Sequence, residues 1–341
     1  MKTLLGMDRD RRKLIFEQSA ARMNLAAVSV EKDFWMCWTL DQLFKMTCGK
    51  HLTFKGGTSL SKAWNLIERF SEDIDITIHR DLLGFGGDNA PHAASSKSQS
   101  KKRLDALKAE CEKYIAGPLF TELDTNIASE LPERDAWSLR PDPEDSQTLL
   151  FEYPSVFPTQ AEYLHRWVKI EMGGRADVVP SDQVSIQPYI AEVFPRVFPD
   201  AKVIVRAILP IRTFWEKNML LHEEGFRPAD KQRKNSLARH YYDIYRMIQA
   251  GISNEALADL TLFFDIAAQR EQYFRYTWVD YKTYQPGQLR ILPADEDILR
   301  WQTDYNSMKR EMFFGEVPEF RAVLEEVKIF QDKFNGLTSY N

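Results

Sequence analysis

Two aspartates one residue apart, Asp73 and Asp75, sit in the alternating run "DIDITI", and a glycine pair, Gly56-Gly57, stands shortly before them. In a β-strand, residues i and i+2 face the same way. The two carboxylates then project together, roughly 7 Å apart at the backbone (two strand rises), while Ile74 and Ile76 pack inward. Carboxylates so placed repel unless a cation joins them. Mg²⁺ is the natural candidate, because it takes a few carboxylates and completes its shell with phosphate oxygens and water. Two such ions about 3.5–4 Å apart would stabilise the attacking and leaving oxygens of an in-line displacement. The glycines supply backbone that phosphates can approach, and a helix after them offers unpaired N–H groups. Glu171, in the alternating stretch "WVKIEMGG", is the expected third carboxylate, with Lys169 on its own face, placed to meet phosphate or to pair with it. Each piece has a plain structural reading too: a wet strand face, a glycine turn, a surface ion pair. The order strand, Gly-Gly, helix, strand, Asp-x-Asp is what favours chemistry.

The elements that must hold these residues follow from periodicity. Residues 9–48 read as helical, with apolar positions recurring every three to four residues. "HLTFKGG" reads as a short strand ending in glycine. "TSLSKAWNLIERF" reads as a helix with Leu60, Ala63, Trp64 and Ile67 on one face and Thr58 or Ser59 as its cap. Residues 80–104, rich in Gly, Ser, Ala and Lys, read as a mobile loop, with helix resuming through "KKRLDALKAECEKYIAG". Strands are expected near 149–154, 166–172, 184–188 and 202–208. From about 211 the period is helical almost to the end, interrupted near "YKTYQPGQLRILPADED". The fold class is therefore α+β: a mixed α/β part over 1–210 and a mainly helical part over 211–341.

The 341 residues, 44% hydrophobic and 12% aromatic, suffice for about two folded domains. The net charge of −5 excludes a basic field over the whole protein, so nucleic-acid contact would rest on local patches. Cys37, Cys48 and Cys111 form no CxxC pair and no disulfide framework, which fits a reduced, cytoplasmic setting. No signal peptide and no 18-residue apolar span is legible, so no membrane association is expected.

The same residues carry a family resemblance. Gly56-Gly57-Thr58, a helix, and then "RFSEDIDI", with Ser71 before the Asp-x-Asp unit, resemble the nucleotidyltransferase signature of the AbiEii/AbiGii toxins of type IV toxin–antitoxin and abortive-infection systems. "EKDFWMCWTLDQLF", "TFWEKNMLLHEE" and "LARHYYDIYRM" are similar to further blocks of that family, so the likeness runs over about residues 28–250. It implies a nucleotidyltransferase-like mixed sheet with flanking helices, and a helical part that completes the active-site cleft. It also implies that a lysine and an aspartate on paired helices, here Lys217 and Asp243, are needed for activity.

On the residues themselves, Phe214, Lys217 and Leu221 share one side of a helix, and a lysine is a compact cation suited to a triphosphate. Arg239 and Asp243, four apart, can form a helix ion pair. His240 and His222 read as orienting or packing residues, and Ser59 and Ser71 as caps or phosphate contacts rather than nucleophiles.

The expected activity is Mg²⁺-dependent transfer of a nucleoside monophosphate from an NTP to an acceptor hydroxyl, as the toxin of a phage-defence or toxin–antitoxin pair with a cognate antitoxin. Asp73, Asp75 and Glu171 would hold metal; Gly56, Gly57, Thr58, Ser71 and Arg239 would contact the nucleotide; Lys217 and Asp243 would complete the catalytic set. RNA, tRNA above all, is the expected acceptor. It would be tracked by two basic segments, one with Lys97, Lys101, Lys102 and Arg103 reaching over the site, the other with Arg227, Lys231, Arg233, Lys234 and Arg239. The alternatives are a small-molecule enzyme of the antibiotic-modifying type, a protein nucleotidyltransferase, or an NTP-binding interaction module.

Overall fold

The computed structural model describes residues 1–71, 73–157, 166–233 and 235–337. The chain forms two compact units, one of residues 1–63 and 71–208, the other of 64–70 and 209–341. The first unit opens with helices α1 (Lys2–Leu5), α2 (Arg9–Met23) and α3 (Ala27–Lys45). Strand β1 (Leu52–Lys55) runs into α4 (Gly56–Lys62), and β2 spans Asp73–Ile78. Then come α5 (Lys97–Tyr114), α6 (Phe120–Glu130), β3 (Ser138–Pro141), β4 (Thr148–Glu152), β5 (Trp167–Gly173), β6 (Ser181–Ile186), α7 (Tyr189–Val193) and β7 (Val203–Ile208).

These strands make one mixed sheet in the order β3-β4-β5-β2-β1-β7-β6. β2 lies at its middle, antiparallel to β1 and parallel to β5. Ile74, Ile76, Val168 and Ile170 are fully buried, so the alternation read in the sequence is the alternation of core and site faces. α3 supplies much of the helical cover: Phe34, Trp35 and Trp38 are buried on it, and Trp38 stacks on Phe151 of β4.

Two local expectations change, and one element was not expected. The helix read over "TSLSKAWNLIERF" ends at Lys62; Asn65 then takes a left-handed backbone, and Trp64–Phe70 belongs to the second unit. The loop read over 80–104 is a series of hydrogen-bonded turns, with Leu83 and Ala90 buried. It leads to a helix that already starts at Lys97, where the Ser96 hydroxyl accepts from the Gln99 N–H. Strand β3 carried no expectation: it is a four-residue edge strand, too short to show a period.

The second unit holds α8 (Pro210–Gly225), α9 (Arg239–Gln249), α10 (Ile252–Ala258), α11 (Thr261–Tyr273), α12 (Ile298–Glu311) and α13 (Phe320–Asn335). Its core is aromatic: Trp215 meets Phe263 at 4.9 Å and Phe334 at 5.6 Å between ring centroids, and Phe214 meets Phe330 at 4.9 Å. The irregular stretch between α11 and α12 is clasped to α8. Tyr284 donates its hydroxyl to Glu223, and the Arg290 N–H donates to Nδ1 of His222.

Candidate active site

The register between β2 and β5 places Asp73 beside Lys169 and Asp75 beside Glu171. All four side chains are half-buried on the face opposite the core isoleucines. Burial, then Glu171, then Asp75 push the Asp73 carboxyl up to about 6. Three carboxylates thus crowd one face, and the cations in reach do not offset them. Lys169 lies 2.6 Å from Glu171 and takes that carboxylate.

Gly56 serves this face directly. Its φ is +75°, a region L side chains avoid, and an added Cβ would lie 1.9 Å from Oδ2 of Asp75. The glycine is required both by backbone geometry and by the close approach of a carboxylate. Thr58 is placed differently from the expectation. It is 1% exposed, and its hydroxyl donates to the Asp73 carbonyl at 2.5 Å. It ties α4 to the start of β2. Gly57 is buried beside it, and the Ser71 carbonyl is within 3.4 Å of the same hydroxyl.

α4 is anchored at its other end. Lys62 sits 2.8 Å from Asp33 of α3 and 3.8 Å from Glu192 of α7, with its ammonium 3.8 Å from the Tyr189 ring centroid. Glu31, Lys32 and Asp33 are all buried on α3. Lys32 is one of the charges that counteract the rise at Asp73. Sequence reasoning passed over Lys32, although three consecutive charges inside an otherwise apolar helix were the available signal.

The second unit carries its own charged cluster. Asp243 is fully buried and accepts from Nε and an Nη of Arg69 at 2.7 and 2.8 Å. Lys217 closes on the same carboxylate at 2.9 Å, and its Nζ lies 3.2 Å from Nδ1 of His240. Against its burial, Arg69 and Lys217 hold Asp243 well below the usual carboxylate range. Burial pulls the Lys217 ammonium down, and Asp243 offsets that in part. His240 is held neutral by burial and by Lys217. The Arg239–Asp243 pair that helical spacing allowed is therefore replaced: Asp243 takes Arg69 and Lys217. Arg69 was missed because its partner lies 174 residues away, beyond the reach of any periodic pattern.

The basic segments also resolve. Lys97, Lys101, Lys102 and Arg103 lie on α5, not on a free arm, and Arg103 donates to the Asp88 and Ala90 carbonyls. Arg227 is bound to Glu224, and Arg233 to Glu224 and Asp297. Lys234 lies outside the described residues.

A family model, described as the nucleotidyl transferase AbiEii toxin of a type IV toxin–antitoxin system, matches residues 38–326. The chain belongs to the AbiEii family. It is thus a nucleotidyltransferase and the toxin member of a type IV system, which implies an NTP substrate and an antitoxin partner. The AbiEii chain is similar in fold to MenT4, a nucleotidyltransferase toxin from Mycobacterium tuberculosis H37Rv, at 14% identity and a TM-score of 0.51, over 98% of this chain and 91% of that one. JHP933 from Helicobacter pylori also matches, at 12% identity and a TM-score of 0.45, over 91% of this chain and 93% of the other. Comparison with curated protein sequences finds no match. No helix among the described residues is long and apolar enough to cross a membrane.

Proposed function

We propose that this AbiEii toxin transfers a nucleoside monophosphate from an NTP to a hydroxyl of RNA, with pyrophosphate as the leaving group and Mg²⁺ as the cofactor. The observation that carries the reading is the carboxylate face of β2 and β5, where burial and then the charges of Glu171 and Asp75 push Asp73 up to about 6. An all-carboxylate donor set suits Mg²⁺. In their present rotamers, no three His, Cys, Asp or Glu side chains among the described residues converge enough to enclose a metal. Asp73 and Asp75 fit as ligands, and Glu171 joins them by exchanging Lys169. Bound there, Mg²⁺ would neutralise phosphate charge and orient the transferred group.

The chain's own residues do the rest. Gly56 leaves Asp75 room, the Gly56-Gly57 turn and Ser71 lie beside the carboxylate face where a triphosphate would sit, and Thr58 fixes the strand that carries Asp73. Lys169, freed from Glu171, is placed to meet phosphate. In the second unit, Arg69, Asp243 and Lys217 together carry one net positive charge. Asp243 orients Lys217 while Arg69 neutralises Asp243, so the cluster still offers a cation to an anionic substrate. Arg239 adds a further positive charge to that neighbourhood.

The test is incubation with each labelled NTP, Mg²⁺ and cellular RNA, for wild type and Asp75→Ala. RNA labelling by wild type and its loss by at least about 100-fold in a folded Asp75→Ala protein is expected, the scale of removing a main electrostatic group. Labelling of a small molecule or a protein with no RNA labelled would replace RNA as the acceptor. Full transfer by Asp75→Ala would remove the metal assignment.

A further inference from the structure

In the second unit, the turn after α11 presents two aromatic rings face to face. Tyr276 is 38% exposed, and its ring stacks on Trp278 with centroids 4.7 Å apart and planes 21° from parallel. The Tyr276 N–H donates to the Tyr281 hydroxyl, which fixes the turn. Two cations lie over Trp278: Nζ of Lys231 at 4.7 Å and the Arg227 guanidinium at 5.6 Å from its centroid. They are not equivalent. Arg227 is held bidentate by Glu224 and is neutralised there. Lys231 is exposed, as is Arg275 beside Tyr276, and no carboxylate among the described residues forms an ion pair with either. The nearest acids in sequence are Asp230, Glu271 and Asp280, and the Asp280 carboxylate accepts from the Lys282 N–H.

A pre-stacked pair with its Tyr276 ring exposed costs little further ordering to receive another flat ring. A nucleobase offers that ring, and the phosphate that follows it meets Lys231 or Arg275. Stacking platforms flanked by cations are how proteins hold unpaired nucleic acid, because every base has a face to stack. A duplex keeps its bases inside and would offer only phosphates. We propose that Tyr276 and Trp278, with Lys231 and Arg275, bind an unpaired segment of the RNA acceptor by base stacking. The proposal rests on the RNA reading above and adds where on this chain, and in which form, the RNA is gripped.

The test uses full-length protein and a fluorescein-labelled, unstructured oligoribonucleotide, with a blunt RNA hairpin as the duplex control. Tyr276 and Lys231 are exposed, so their variants keep the core. Binding of the single strand should weaken about tenfold in Tyr276→Ala and stay near wild type in Tyr276→Phe. Lys231→Ala should weaken it too and reduce the slope of affinity against salt by about one unit. Hairpin binding and the NTP KM should not move in Tyr276→Ala. A wild type that labels RNA, with Tyr276→Ala binding the single strand equally well, overturns the platform and leaves the RNA acceptor standing. A wild type that neither binds nor labels any RNA overturns both.

Discussion

Arg69 is the residue on which the second unit's cluster turns. It is 2% exposed, and its two-toothed contact fixes both oxygens of a fully buried carboxylate. Without it, Asp243 would keep Lys217 alone, and the pair would carry no net charge. Removing Arg69 leaves Oδ1 of the buried carboxylate without its hydrogen bond, so Arg69→Ala should cost about 1–3 kcal/mol of stability. Arg69→Lys is the sharper variant, because it keeps the charge and loses the planar fork. We expect it to fold, with a urea midpoint close to wild type, and to lose on the order of tenfold in transfer rate as Asp243 turns and Lys217 drifts. Unchanged turnover in Arg69→Lys would mean that the fork does not position Asp243. Arg69 also marks a limit of sequence reading. Lys217 and Asp243 were found through resemblance to a family, whereas Arg69 stood inside the quoted "RFSEDIDI" without a role, since its work depends on a residue far along the chain.

At the scale of elements, α4 shows what periodicity reports and what it omits. Leu60 and Ile67 are both buried, as a continuous helix would demand. They are buried in different units, because the chain leaves the helix at Lys62 and turns at Asn65. A helical period cannot say which core receives each apolar side chain. The Asp-x-Asp strand was legible because strand period 2 separates Ile74 and Ile76 from Asp73 and Asp75 within four residues. The seven-residue helix before it holds its position through Lys62 more than through its own length, since helices so short are marginal alone. Against the burial that would strip its proton, Asp33 pushes the Lys62 ammonium above its ordinary range, while burial pushes the Asp33 carboxyl up and Lys62 pulls it back down. Lys62→Met should lose about 3 kcal/mol in urea unfolding by stranding Asp33. Lys62→Met with Asp33→Asn should recover much of that, because the amide is neutral and can still accept from the Tyr189 N–H. If the double variant is no more stable than the single one, the loss comes from packing and not from a stranded charge.

For the molecule as a whole, the α+β class was legible because strand and helix periods occupy different stretches of the chain. The order of the sheet was not, since β2 pairs with β5 across nearly a hundred residues. Buried histidines set how this fold responds to acid. His222 is fully buried, held down to about 4 by burial and then by Arg290, and its Nδ1 accepts from the Arg290 N–H. His240 is likewise held well below its ordinary value, by burial and by Lys217. Unfolded, both rings would titrate near their ordinary value of about 6.5. Below that pH the unfolded chain binds protons that the folded chain refuses, so stability falls as pH falls, until the folded rings also protonate. Asp73 acts in the opposite sense: folded, it takes a proton near 6, well before an unfolded aspartate does, and so adds stability on acidification. Between pH 6.5 and 5 His222 should remove about 1.5 kcal/mol and Asp73 should return about 1. His240 adds to the loss, and Glu31, Asp33 and Glu192, whose carboxyls burial pushes up, add to the return. Asp73→Asn should therefore steepen the loss, while acidic residues held low, Asp243 among them, contribute only at lower pH. Urea unfolding of wild type and Asp73→Asn at the two pH values measures both quantities. A wild type that grows more stable on acidification, or an Asp73→Asn protein with the shallower slope, would show that these three groups do not govern the response.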